Sequence, residues 1–208
     1  LWNSFLVTLG ATLLAVLVSL LAGFAYSRHA GRGLQASAFF LIFVRLFPPI
    51  VITLPLFPVV NWLKLNDTHL ILILLYATFF VSLGTIVMRT FIDQIPRELD
   101  EAAMIDGAGS FRILRSVIIP QAKAAIVAVS LFHFFWAWNE FFLPLVYLQS
   151  VPELQPLAVG LAHFNSLYSQ EPTLIQAAAI MAMLLPVVVF FLAQRAFMRG
   201  VVFSGVEK

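Results

Sequence analysis

The sequence predicts an all-α polytopic membrane protein with five transmembrane helices, and three observations lead there. Of its 208 residues, 62% are hydrophobic and only 11% are charged, against about 25% charged in an ordinary soluble domain. The apolar residues gather into five runs, each near the roughly 20 residues that a spanning helix needs. Nearly all the charges fall between those runs. So few charges could not cover a water-exposed surface, which excludes a soluble globule, a disordered chain and a coiled coil. The formal net charge of +2 makes no phosphate-binding face, so nucleic acid is not expected as a partner. With no cysteine, the chain can build no disulfide framework, thiolate metal site or cysteine nucleophile.

Residues 5–26 form the first run and carry no charge. The second, 37–62, is interrupted by Pro48, Pro49, Pro55 and Pro58 and holds Arg45. The third is 70–88, the fourth is 124–148 with Glu140 inside it, and the fifth is 173–197 with Pro186 inside it. Each is expected to be helical, because hydrocarbon offers no partner to a free backbone N–H. The first run is too long for a signal peptide and lacks a basic leader. Ten of the 12 Lys and Arg residues lie on one side of the runs. They are Arg28 and Arg32, then Arg89, Arg97, Arg112, Arg115 and Lys123, then Arg195, Arg199 and Lys208. Lys64 lies on the other side and Arg45 within a run. The positive-inside rule makes the basic side cytoplasmic, with the C-terminus on it and residue 1 outside. That placement, with Leu1 in first position, leads us to expect one further span ahead of this sequence.

Residues 89–123 are a long polar interruption with an internal grammar. Pro96 suits the first turn of a helix, where a missing N–H costs nothing. Glu98, Asp100 and Glu101 follow, near the positive end of the helix dipole. Leu99, Ala102 and Ala103 give a slim apolar stripe, and Gly107 stands where a left-handed C-terminal cap is expected. Ser110 suits the N-cap of a second short helix, with Phe111, Leu114 and Ile118 on one side and Arg112 and Arg115 on another. Pro120 should end that helix by biasing Ile119 out of the right-handed helical region. The reading is helix, tight glycine turn, helix at the cytoplasmic membrane face. Such an element can lie on membrane lipid or seat in a partner's groove. Its acidic first helix, which anionic lipid would repel, leans towards the partner.

Glu101-Ala102-Ala103, then three residues, Gly107, nine residues and Val117-Ile118-Ile119-Pro120 resemble the EAA loop of binding-protein-dependent ATP-binding-cassette importers. The family pattern is E-A-A-x3-G-x9-I-x-L-P, from which Val117 and Ile119 depart conservatively. Asn3-Ser4-Phe5, Phe47-Pro48-Pro49, Trp138-Asn139-Glu140-Phe141, Leu157-Ala158-Val159-Gly160 and Gln194-Arg195-Ala196-Phe197 are similar to the carbohydrate-type, maltose-permease-like subunits of that family. The resemblance covers nearly the whole chain. It implies one transmembrane domain over 1–208, with the EAA loop at 89–123 and six spans in a full-length member. It further implies a multi-pass protein of the bacterial or archaeal cytoplasmic (inner) membrane.

By the same resemblance, Glu101, Ala102, Ala103 and Gly107 are the ATPase-coupling positions. Glu101 would anchor to a partner arginine, the alanines would allow close approach, and Gly107 would make the turn. The implied partners are an ATP-binding-cassette ATPase dimer, a second and non-identical permease subunit, an extracytoplasmic solute-binding protein and membrane lipid. The C-terminal Ser204-Gly205-Val206-Glu207-Lys208 resembles a family tail that also reaches the ATPases, with Glu207 as a departure. No cofactor is expected on this chain. It has no G-x4-G-K-[ST] motif for nucleotide phosphates, so ATP would be hydrolysed by the partner and this subunit would not be an enzyme.

Arg45 and Glu140, the charges well inside spans (Arg195 stands within three residues of the end of its run), are costly enough in hydrocarbon to be functional candidates. Counted along ideal helices they lie at depths differing by about 10 Å, so a direct pair is not expected. Arg45, with Pro48 and Pro49, either lines or gates the translocation path or contacts the partner permease. Asn139 and Glu140 either belong to that path or make hydrogen bonds within the bundle near its outer end. Trp136, Trp138 and Tyr147 either stack on sugar rings or pack and anchor the bundle. Ser19 and Gly23, four residues apart, allow close helix packing. Segment 149–172, with three prolines and no Lys or Arg, is either a rigid surface loop or, by resemblance, a loop that helps release substrate from a docked binding protein.

Gly31-Arg32-Gly33 follows a membrane helix instead of a strand, so it is a loop and not a dinucleotide fingerprint. His29, His69, His133 and His163 have no metal-ligand spacing. The alternative to an importer permease is an ion-coupled secondary transporter, which should show midplane carboxylates and internal repeats; only Glu140 partly meets that. A membrane enzyme or scaffold would need a polar catalytic cluster that the sequence does not offer.

Overall fold

A computed structural model describes residues 1–167 and 171–204, apart from the side chains of 166 and 195–204. Two uninterrupted helices form its centre, α1 (Trp2–Arg28) and α4 (His69–Asp93). They run parallel, since both N-termini contact the same loop at 153–157. Small residues let the two backbones approach. Gly84 faces Ser19, and Gly23 faces Met88 so closely that a Cβ there would fall 2.7 Å from the Met88 Cβ. The close packing expected of Ser19 and Gly23 is therefore the contact between α1 and α4. Helix α8 (Lys123–Trp138) crosses both. Buried His133 joins all three, with Nδ1 2.8 Å from Thr12 Oγ1 and Nε2 3.3 Å from the Tyr76 carbonyl.

The second expected span is not one kinked helix. It is α2 (Arg32–Arg45) and α3 (Pro49–Trp62), meeting at 102°. The residue before a proline avoids the helical region, and Pro48 is extended with φ −60° and ψ 139°. Pro49 then opens α3 at the position where its missing N–H matters least. Pro55 and Pro58 remain inside α3.

The fourth expected span, 124–148, is also broken. Helix α8 stops at Trp138, after 16 residues or about 24 Å, short of the roughly 30 Å hydrocarbon core. A short α9 (Phe142–Tyr147) continues after the break. Glu140 makes that break, because its carboxylate accepts from the backbone N–H groups of Phe142 (3.2 Å) and Leu143 (2.9 Å).

The third span runs five residues past its expected end, to Asp93. Beyond it lie α5 (Glu98–Ile105) and α6 (Ser110–Ile113), a π-helical turn at Leu114–Ile118, and α7 (Ile119–Gln121). Pro120 does not end the second short helix: Ile119 is helical, with φ −57° and ψ −45°. The wider turn just before takes up the crowding that a proline imposes. Nor does Ser110 cap that helix, since Gly109 stands at the N-cap. After α9 come a 3-10 turn (Pro152–Leu154), α10 (Leu157–Leu167) and α11 (Pro172–Ser204), which contains Pro186.

Among the described residues, three helices are long and apolar enough to cross a membrane, or up to five if each bent pair counts as one span. Most of the buried apolar residues fall into two clusters. One, around Phe24, Met88, Ile92 and Ile118, lies towards the α5–α6 end. The other, around Val7, Ile71, Leu143 and Tyr147, lies towards the opposite end. Because the α1–α4 approach leaves no room at Gly23, Gly23→Val should lower the stability of the protein in detergent by about 1–3 kcal/mol. A thermal unfolding midpoint equal to wild type would contradict that packing.

Candidate functional site

The loop matching E-A-A-x3-G folds as the helix and glycine turn that its residues predict. Gly107 has φ +79°, a left-handed conformation that suits glycine. Its N–H donates to the Met104 carbonyl (3.0 Å) and the next N–H, of Ala108, donates to that of Ala103 (2.9 Å). These are the two bonds of a Schellman cap, which satisfies the last carbonyls of α5.

The faces of α5 differ from the expected stripe. Asp100 and Ala103, three apart, face inwards, while Leu99, Glu101, Ala102, Met104 and Ile105 are exposed. Ile105 is 88% exposed, and Phe111 on α6, expected beside buried Leu114 and Ile118, is 74% exposed. The tip therefore presents Glu101, Ala102 and Gly107 beside bare apolar side chains at Met104, Ile105 and Phe111. The sequence reading does not single out Met104 and Ile105, and it gives Phe111 only to the apolar side of the second helix. Their signal was an apolar residue on each side of a left-handed glycine in an otherwise polar loop.

It also missed how the tip is held. Arg28 ends α1, and its Nε lies 2.5 Å from Asp100 Oδ2, with the two side chains only 8% and 7% exposed. The same guanidinium donates to the carbonyls of Ile92 (3.1 Å) and Ile95 (3.0 Å) at the end of α4. Arg97 returns a bond to the Ser27 carbonyl (2.9 Å). From the sequence alone Arg28 is a topological charge and Asp100 an acid near the helix dipole.

Arg45, Pro48 and Pro49 come together at the elbow between α2 and α3. With Thr78, Ser82 and Trp136 they line a cavity of about 490 Å³. Arg45 donates to the Phe79 carbonyl of α4 (3.2 Å). Asn139 and Glu140 do not line this cavity. Asn139 borders a separate space of about 360 Å³ beside α10 and α11. Arg45 and Glu140 thus have different partners, as their depths suggested.

Of the three aromatic candidates, Trp138 stacks on Phe134 and donates to the Ala182 carbonyl, and buried Tyr147 donates to that of Thr53. Both pack the bundle; Trp136 alone of the three reaches the larger cavity. At the opposite end Asn3 donates to the Glu153 carbonyl (2.6 Å), Ser4 accepts from the Leu157 N–H (2.6 Å), and His69 Nε2 lies 3.0 Å from the Leu154 carbonyl. The first part of segment 149–172 is therefore pinned to α1 and α4. Residues 168–170, the tail 205–208 and the side chains of Arg195, Arg199 and Ser204 lie outside the described residues.

Comparison with known proteins agrees with this geometry. The family model described as "Binding-protein-dependent transport system inner membrane component" matches residues 10–202. The osmoprotective compounds uptake permease protein GgtD of Synechocystis sp. is 31% identical over 206 residues, covering 99% of this chain and 69% of its own length. The maltodextrin transport system permease protein MdxG of Bacillus subtilis is 31% identical over 206 residues, covering 99% of this chain and 74% of its own. A solved bacterial ABC transporter involved in the import of the acidic polysaccharide alginate superimposes with a TM-score of 0.76 at 27% identity, over 94% of this chain and 75% of that one.

Proposed function

Because the chain belongs to the family of binding-protein-dependent transport system inner membrane components, we propose that its α5–α6 turn is the element through which an ATPase drives transport. The chain is the permease subunit of an ATP-binding-cassette importer. The observation that carries the coupling role is the tip itself. Glu101, Met104, Ile105 and Phe111 stand exposed around a rigid Schellman turn. Exposed apolar groups at a helix end fit a partner's cleft, and Glu101 supplies a charge for an arginine there. Hydrolysis belongs to that partner, an ATP-binding-cassette ATPase dimer, and this chain holds no nucleotide itself. The α5–α6 end is cytoplasmic, as the ten basic residues of that side indicate.

A second permease subunit completes the pathway, and the exposed apolar faces of α2 and α11 are the surfaces available to it and to lipid. The opposite end, where segment 149–157 is pinned, meets the solute-binding protein. The solute is a carbohydrate or a similar polyol, in keeping with relatives named for maltodextrin and alginate import. Its path runs by the cavity at the α2–α3 elbow, where Arg45, Thr78 and Ser82 supply polar groups among apolar walls.

Purification of the whole importer tests the coupling role. Glu101→Arg and Gly107→Pro should each reduce the ATPase recovered with the permease by about tenfold or more, as expected for the loss of an interface anchor. Equal recovery with both variants would contradict the assignment. Arg45→Ala should leave ATPase recovery intact and reduce solute uptake by about tenfold; unchanged uptake would remove Arg45 from the path.

A further inference from the structure

Helix α5 has few apolar ties to the bundle. Ala103, only partly buried, packs against the inner cluster, and half-exposed Met104 borders a space beside Phe24 and Ile113, while Leu99 and Ile105 point away. The turn that follows adds Ala108. Apolar packing of this extent does not fix a two-turn helix. The Arg28 guanidinium does, by bonding Asp100 of α5 and two carbonyls at the end of α4 while itself ending α1, with the Arg97 bond to the Ser27 carbonyl beside it at the start of α5. Among the described residues Asp100 Oδ1 is buried with no hydrogen-bond partner, so the carboxylate depends on Arg28. An isolated charge at that depth is strongly disfavoured, so neither residue can leave the other without cost.

We propose that the Arg28–Asp100 ion pair is a strut that makes α5 and α1 move as one body, so that displacement of α5 by the ATPase is delivered to α1 and the α4 end. Both are positioning residues: neither needs to touch solute or nucleotide. The inference rests on the coupling role of α5. The pair lies behind the docking face, since Asp100 points inwards and Glu101 outwards. Loss of the strut therefore differs from loss of docking. Without it, the ATPase still binds the tip, but α5 shifts alone.

The absence of cysteine allows two spin labels to be placed cleanly, at exposed Glu98 on α5 and exposed Leu21 on α1. The distance between them is measured by pulsed electron spin resonance in the assembled importer, nucleotide-free and trapped with Mg·ATP and vanadate. With the pair intact, the distance should stay constant between the two states to within about 1 Å. With Asp100→Asn it should differ between the states by at least about 2 Å or broaden, as helix shifts of that size require. Asp100→Glu, which keeps the charge, should restore most of the constancy. A distance that changes with nucleotide in the otherwise unaltered chain overturns the strut. So does a distance that stays constant in Asp100→Asn, whatever that variant does to stability. Failure of the coupling role itself would appear elsewhere, as undiminished ATPase recovery with Glu101→Arg.

Discussion

In a chain where only 11% of residues are charged, a guanidinium and a carboxylate can be buried at a helix end only together. Arg28 and Asp100 do this where α1, α4 and α5 converge. The remainder of the α5–α6 end depends on that meeting. It turns the Asp100 face of α5 inwards, and the geometry of a helix then puts Glu101 and Ile105 on the outside. The Schellman turn at Gly107 completes the tip, and the partly buried alanines beside it seat the turn on the bundle.

The rest of the bundle divides into a stiff pair and two broken arms. Helices α1 and α4 approach through Ser19, Gly23 and Gly84, and small residues at such a contact trade side-chain bulk for backbone proximity. Around them, the α2–α3 elbow and the α8–α9 break carry the irregular backbone. A membrane tolerates such backbone where it lines a cavity or is buried in protein. The elbow lines the cavity that holds Arg45, and the break is satisfied by Glu140 within the chain. The plan is thus a close-packed centre joined to the tip at one end, with the broken elements beside the cavity.

Much of this was legible in the residues. Uninterrupted apolar runs disclosed α1, α4 and α11, and the acidic start and glycine stop of α5 disclosed the tip. The break after Trp138 was not legible, because composition stays apolar through 141–148 and only the Glu140 carboxylate capping two N–H groups decides it. The two halves of the second span were half legible: Pro48 and Pro49 announced a bend, but its angle depends on packing against α4. Arg28 and Asp100 lie 72 positions apart, beyond the reach of any local pattern. The inward turn of Asp100 had one faint sign, its spacing of three from Ala103. Phe111 was misplaced because α6 buries its Ile113 side, and the π-helical turn that follows then shifts Ile118 from the register an ideal helix would give.

The account stands on Arg28 and Asp100 acting as a unit, and a double-mutant cycle tests that most directly. The thermal unfolding midpoints of the wild type, Arg28→Gln, Asp100→Asn and the double variant would be measured in the same detergent. Each single variant leaves one buried charge unpartnered, whereas the double variant leaves none. The account predicts that the double variant is at least as stable as the less stable single variant. Losses that simply add would show two independent side chains and contradict it.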